Sequence, residues 1–235
     1  QSINELLQRI EDAVKRERQF TSDASHELRT PLSVLRGTLE VLIRKPRTQQ
    51  EYEEKVSQSL IEIDRLTETM EQLLALARAS ETGKIHGGHQ MNLADVVETT
   101  LIVHATQAKK KGIKFNVTNE LSEPFLVPQE NVQLILRNLI QNAIKYSKSD
   151  STVDIMLKSV GGKTVCQVAD EGIGIKEADL ANIFNPFFRS EALKHRDIAG
   201  NGLGLAIAQR AANAMGAEIT VTSEYNKGSV FTLNF

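Results

Sequence analysis

Residues 28–42, LRTPLSVLRGTLEVL, place Leu28, Leu32, Leu35, Leu39 and Leu42 at alternating steps of four and three. Apolar residues spaced in this way fall along one stripe of an α-helix and form a heptad seam. After a break at Lys45-Pro46-Arg47 the pattern resumes in Val56, Leu60, Ile63, Leu66, Met70, Leu73 and Ala77. Residues 1–80 hold only two prolines and one glycine, so two long helices joined by a short turn are predicted, an antiparallel hairpin. Two helices cannot cover their own apolar stripes. A four-helix bundle made from two copies is the simplest closure, the alternative being a stripe packed on the chain's own C-terminal half. Upstream, Ile3, Leu6, Ile10 and Ala13 already follow helical spacing, which reads as a helix entered part way along, in a fragment of a longer protein.

Residues 80–90, SETGKIHGGHQ, contain three glycines and no apolar period, and read as a linker. His86 and His89 lack the Cys or carboxylate companions of a metal site and are assigned no chemistry. Beyond them, helices are predicted near 93–111 and 129–147 and strands near 113–118 and 124–127. Val153, Ile155 and Leu157, then Val165, Gln167 and Ala169, alternate across a Gly161-Gly162 turn. A helix over 204–215 leads into strands near 217–223 and 229–235. Strands paired mostly as hairpins, with three longer helices among them, make an α+β sandwich with helices on one sheet face. The predicted organisation is multidomain: an all-α hairpin over 1–82, a linker over 83–90 and the α+β domain over 91–235.

Composition narrows the function. Hydrophobic residues make up 40% of the 235 and charged residues 25%, which excludes wholesale disorder. Lys plus Arg number 28 against 30 Asp plus Glu, with no basic tail, so nucleic acid is not a predicted partner and any phosphate binding is local. Cys166 stands alone, cannot form an intrachain disulfide and points to a reducing compartment. No run of about 18 to 20 apolar residues occurs, so this segment is predicted to be soluble.

Four clusters carry chemistry. In residues 20–32, His26 lies two positions before seam residue Leu28, about 200° around the helix, and so faces water. A neutral, exposed imidazole keeps a nucleophilic lone pair. Glu27 is placed to accept from the other ring nitrogen, Thr30 is one turn on, and Pro31 is predicted to bend or loosen the helix at Arg29–Thr30. Asn138, Asn142, Lys145 and Tyr146 fall at i, i+4, i+7 and i+8 and form one polar stripe, either a solvated face or a set of amide oxygens and an ammonium suited to Mg²⁺ and phosphate. Asp170-Glu171-Gly172-Ile173-Gly174-Ile175 ends a strand with a carboxylate able to read an exocyclic amine, and its glycines let a flat ligand approach. Gly200-Asn201-Gly202-Leu203-Gly204-Leu205 opens a helix whose first N–H groups form an anion site, although it departs from the dinucleotide pattern GxGxxG.

Taken together, SHELRTPL at 25–32, NLIQNAIKYS at 138–147, DEGIGI at 170–175, FNPFFR at 184–189 and GNGLGL at 200–205 resemble, in order, the phosphoacceptor, N, first Gly, F and second Gly boxes of the sensor histidine kinases of two-component signalling. The resemblance covers nearly the whole chain and implies a dimerising His-containing hairpin followed by a Bergerat (GHKL-type) ATP-binding fold. It implies ATP and Mg²⁺ as cofactors. His26 would attack the γ-phosphate, with Glu27 as base or orienting carboxylate. Asn142 would ligate Mg²⁺, Asn138 would support that site, Lys145 would meet phosphate and Tyr146 would flank adenine or ribose. Asp170 would bond the adenine amino group in a pocket shaped by Gly172 and Gly174. Arg189 would stabilise γ-phosphate charge, and Gly202, Leu203 and Gly204 would hold phosphates through backbone N–H groups. Residues 190–199 would form a lid, where Lys194, His195 and Arg196 either reach phosphate or stay solvated. The implied partners are a second copy of the chain and the receiver domain of a response regulator. Thr30, at the end of an E-x-x-T pattern, would serve dephosphorylation of that regulator. The parent protein would be membrane-anchored upstream, with this segment on the cytoplasmic side of a bacterial inner membrane.

Two other classes compete for the same residues. An ATP-driven clamp would place a Glu near Asn138 to activate water, and an amide cannot serve as that base. A purely structural dimerisation module would leave the nucleotide boxes idle.

Overall fold

The computed structural model describes residues 3–81, 89–190, 198 and 200–235. The chain divides into two compact units, residues 1–74 and 75–235.

The first unit is helical. α1 spans Ile3–Ile43, and α2 spans Gln49–Glu81, of which residues 49–74 belong to this unit. Pro46 removes a donor from the intervening turn, and a reciprocal capping box starts α2: the Thr48 N–H donates to Glu51 Oε2 at 2.9 Å and the Glu51 N–H to Thr48 Oγ1 at 3.3 Å. α1 runs unbroken through Pro31, so the loosening predicted at Arg29–Thr30 does not interrupt the helix. Its cost is confined to the Glu27 carbonyl, which loses its i+4 donor, while neighbouring hydroxyls bond back to the helix, Ser33 Oγ to the Arg29 carbonyl at 2.9 Å among them. Along the seam Leu42 is buried, yet Leu32, Leu39, Val56, Leu60, Ile63 and Met70 each keep between 44% and 56% of their surface exposed.

The second unit is the predicted α+β sandwich, each long element lying within two residues of its expected place. β1 (Gln90–Asn92) leads into α3 (Leu93–Lys110), then β2 (Lys114–Asn119), β3 (Leu126–Pro128), α4 (Gln129–Tyr146), β4 (Thr152–Val160) and β5 (Lys163–Asp170). α5 (Glu177–Leu180), α6 (Gly204–Ala214), β6 (Glu218–Glu224) and β7 (Gly228–Asn234) complete it. The main sheet has the order β2-β4-β5-β7-β6, parallel only between β2 and β4. Gly161 and Gly162 supply the two positive φ values, 60° and 81°, of a tight β4–β5 hairpin whose twist suits the strands. The core forms where the inward residues of β4, β5 and β7, including Ile155, Leu157, Cys166 and Leu233, meet α3, α4 and α6. α4 buries Ile135, Leu136, Leu139 and Ile140 almost completely, each contributing about 1.5–3 kcal/mol of transfer free energy.

Two elements escape sequence periodicity. β1 pairs antiparallel with β3, Met91 opposite Val127, and begins at Gln90, the last residue of the predicted linker. α5 is a single turn. The rest of that linker, residues 83–88, lies outside the described residues, as does most of the predicted lid, including Lys194, His195 and Arg196.

Candidate functional site

α4 carries the first part of the site. Its polar stripe is not a solvated face. Asn138 is only 5% exposed; its Nδ2 donates to the Leu134 carbonyl at 2.8 Å, and its Oδ1 would lie 2.9 Å from a Cβ built on Gly204, the first residue of α6. Two turns further, Lys145 Nζ stands 4.9 Å from the centre of the Tyr146 ring, and a Cβ on Gly200 would overlap it. The N box and the second Gly box, some 60 positions apart in sequence, therefore touch at two places.

Asp170 closes β5. Its Oδ1 accepts the Gly172 N–H at 2.8 Å. Burial pushes its carboxyl up to about 6, against the opposing pull of hydrogen bonds from the Gly172 and Ser229 N–H groups. Ser229 faces it directly in the β5–β7 register. The loop that follows is held at three points. The Ile173 N–H donates to the Tyr146 carbonyl at 3.2 Å, the Asn226 N–H to the Ile173 carbonyl at 2.7 Å, and the Ile175 N–H to Ser223 Oγ at 2.8 Å. The Ser223 proton goes to the Gly228 carbonyl at 2.8 Å, so Ser229 is the donor in the 3.0 Å contact between the two hydroxyls.

Asp170 opens onto one cavity. Asn142, Tyr146, Arg189 and Ser229 are among its other polar members, with apolar walls that include Ile175, Phe188 and Leu205. Burial raises the Tyr146 phenol above its ordinary value. An apolar slot with one buried carboxylate suits a flat heterocycle bearing an exocyclic amine. The F box and the second Gly box are joined through backbone: the Phe187 N–H donates to the Gly202 carbonyl at 3.0 Å, and a Cβ on Gly202, at φ 73°, would stand 2.7 Å from the Phe187 carbonyl carbon. Arg189 Nη2 donates to the Ile198 carbonyl at 2.8 Å. Leu203 is fully buried and its N–H goes to Asn201 Oδ1 at 3.3 Å.

In the helical unit His26, Glu27 and Thr30 are all exposed. The Thr30 hydroxyl donates to the His26 carbonyl at 3.2 Å, and no hydrogen bond links Glu27 to the imidazole among the described residues. No three His, Cys, Asp or Glu side chains converge as a metal site among the described residues, so a divalent ion here would take most of its oxygens from the ligand it accompanies, with the Asn142 amide oxygen as the protein's share.

Sequence reasoning passed over Ser223, Tyr225 and Ser229. Tyr225 lines the cavity and stands 5.5 Å from Lys176 Nζ, measured to the ring centre. A hydroxyl at the inward position of a strand otherwise pointing Phe231 and Leu233 to the core is the signal that would have marked Ser229.

Comparison with known proteins bears on the family and the fold. A family model described as "Histidine kinase-, DNA gyrase B-, and HSP90-like ATPase" matches residues 128–235, and another described as "His Kinase A (phospho-acceptor) domain" matches residues 16–82. Signal transduction histidine-protein kinase ArlS of Staphylococcus aureus is 31% identical over 237 aligned residues, covering 100% of this chain and 52% of ArlS. The chain thus spans about half the length of the curated relatives it matches. Among solved structures, Acinetobacter baumannii histidine kinase AdeS superposes with a TM-score of 0.71 at 24% identity, over 89% of this chain and 96% of that one. Histidine kinase ThkA in complex with response regulator protein TrrA gives 0.72 at 20%, over 100% of this chain and 67% of that one. ShkA in complex with AMPPNP gives 0.68 at 24%, over 92% and 45%. At these identities the superpositions speak to fold alone.

Proposed function

The chain belongs to the histidine kinases of two-component signalling, and from that premise we propose that it is an ATP-dependent autokinase. It moves the γ-phosphoryl group of ATP to His26 and then to a receiver-domain aspartate of a response regulator. The observation that carries the reading is the junction of Asn138 and Lys145 with Gly204 and Gly200 beside the Asp170 cavity, an arrangement that would let groups suited to adenine and to phosphate act on one ligand.

A lone pair of the His26 imidazole forms the N–P bond as the bond from the γ-phosphorus to the bridging oxygen breaks, and ADP leaves with that electron pair. The ring proton goes to Glu27 or to water. Asp170 accepts from the adenine amino group, Gly172 and Gly174 keep the pocket open, and Tyr146 flanks adenine or ribose. Lys145 and Arg189 meet phosphate charge. Gly202 and Gly204 offer N–H groups at the start of α6, where the first amides have no intrahelical acceptor; the Leu203 N–H, bonded to Asn201, contributes by shaping the turn. Asn142, supported by Asn138, would hold the Mg²⁺ that accompanies ATP, which would supply positive charge to neutralise phosphate. Water activation in the manner of an ATP-driven clamp is disfavoured because Asn138 carries an amide where a base is needed.

The proposal includes a division of labour between residues 1–82 and 91–235 across a linker at 83–90. It also includes a homodimer that covers the exposed seam, a membrane anchor upstream on the parent protein, and a regulator-phosphatase activity using Thr30. No helix of the described residues is long and apolar enough to cross a membrane. The deciding experiment supplies γ-labelled ATP. Acid-labile label on the protein that disappears in His26→Gln is expected, and release of labelled phosphate without any labelled protein would overturn the reading. A receiver domain should protect α1 beside His26 and the neighbouring part of α2, and protection confined to residues 91–235 would exclude phosphotransfer from His26.

A further inference from the structure

The end of α4 that carries Asn142, Lys145 and Tyr146 is held by a side chain belonging to none of the sequence boxes. The last four carbonyls of a helix have no intrahelical donor and must find one elsewhere. In α4 these are Ala143, Ile144, Lys145 and Tyr146. The Ala143 carbonyl accepts the Ser147 N–H at 3.0 Å and the Tyr146 carbonyl the Ile173 N–H at 3.2 Å. The remaining two both accept from Lys111 Nζ, Ile144 at 2.8 Å and Lys145 at 2.7 Å. A cation at this point also complements the negative end of the helix dipole.

Lys111 is itself fixed. It caps α3, its N–H donating to the Ala108 carbonyl at 3.0 Å and its carbonyl accepting the Asp150 N–H at 3.1 Å. Gly112 follows at φ 73°, with the Asp150 carboxyl packed against its α-carbon where no Cβ would fit. In the Lys109-Lys110-Lys111 run, Lys109 and Lys110 are exposed while Lys111 is half-buried, and burial lowers its ammonium from the ordinary value.

We infer that Lys111 is a positioning residue of the nucleotide site, clamping the C-terminal carbonyls of α4 so that Asn142 and Tyr146 face the Asp170 cavity and Lys145 reaches Gly200. The inference rests on the ATP reading proposed above. It places one of the determinants of nucleotide affinity in the α3–β2 turn, a segment with no residue lining the cavity. Lys111→Met keeps the aliphatic stem and removes the three donors, Lys111→Gln keeps a neutral donor, and Lys111→Arg keeps charge and donors.

The test uses the full chain with a fluorescent ATP analogue, together with amide exchange measured without nucleotide. Lys111→Met should bind the analogue about tenfold more weakly, the equivalent of one charge-assisted hydrogen bond lost at the site. It should raise the KM for ATP by a similar factor while leaving kcat within about twofold. Lys111→Gln should fall between Met and wild type, and Lys111→Arg should recover most of the affinity. In the Met variant the Ser147 and Ile173 amides should exchange faster, with the β-sheet amides unchanged. Equal binding by wild type and Lys111→Met, a loss shared fully by Lys111→Arg, or exchange accelerated throughout the unit would each overturn the inference. Failure of the wild-type chain to bind the analogue would sink the ATP reading instead, and the exchange pattern would still decide whether the clamp exists.

Discussion

Gly174 packs its α-carbon against the Glu224 carbonyl at the β6–β7 turn, so closely that a Cβ would overlap the oxygen and stand 2.8 Å from its carbon. The obstacle is backbone and cannot swing aside, and φ 62° adds strain for any side chain. Gly174→Ala should therefore cost at least about 2–3 kcal/mol of stability and open the loop that follows Asp170. Gly216→Ala shares the positive φ, 75°, but has nothing within 4 Å, so it should cost only about 1 kcal/mol, with nucleotide affinity retained. Paired thermal melts and nucleotide titrations of the two variants check this.

Asp170 couples recognition to pH. Its carboxyl, at about 6 when folded, starts from a reference of 3.8, so between these values the native state holds its proton more tightly than the unfolded chain. Stability without nucleotide should fall as pH rises through that window and stay lower above it. Asp170→Asn removes the buried charge. At pH 7 it should raise nucleotide-free stability by up to about 3 kcal/mol. It should also weaken ATP binding by at least about tenfold. Wild-type affinity should decline below about pH 6, as the carboxylate acceptor becomes protonated. Melting curves and nucleotide titrations between pH 4 and 8 test both signs.

Separating acceptor from binding site is a simpler matter. His26→Gln should abolish phosphorylation while nucleotide affinity stays within about twofold, and Asn142→Ala should lose Mg-ATP binding with the acceptor intact. Mixed dimers of the two would recover label if one subunit phosphorylates its partner. Loss of nucleotide binding in His26→Gln would count against the division of labour.

The proposed phosphatase reading assigns Thr30 to hydrolysis of the regulator's phosphoryl group. Its proton is engaged by the His26 carbonyl, leaving the oxygen lone pairs to accept from a water directed at a regulator's phospho-aspartate. Thr30→Ala should slow dephosphorylation by roughly 10- to 100-fold and leave autophosphorylation and transfer within a few-fold. Equal losses of both activities with a lowered melting temperature would assign Thr30 to packing beside Pro31.

The features legible in the sequence were those that repeat locally. The seam from Leu28 to Ala77, the alternation of Val153, Ile155 and Leu157, and the Gly161-Gly162 turn each announce themselves within a dozen residues. What stayed hidden depends on distant pairing. β1 is three residues long and exists because Met91 finds Val127, and no period can show in so short a run. Asn138 read as part of a polar stripe, and only the approach of α6 shows it to be buried. Lys111 is masked by two lysines before it, since a charge run gives no hint of which member finds carbonyls 33 and 34 positions away.

The exposed leucine seam makes the stability of the helical unit a question of mass action. If a second copy covers Leu32, Leu39, Val56, Leu60, Ile63 and Met70, folding and association of the hairpin are one equilibrium. Each tenfold dilution then removes about 1.4 kcal/mol from it. The α+β unit, with its own closed core, carries no such dependence. Two melting transitions should follow, and diluting the protein should pull them apart or together by moving only the helical one. In a cell, abundance would therefore decide how much of the chain holds a folded phosphoacceptor helix at all, whatever the occupancy of its nucleotide site.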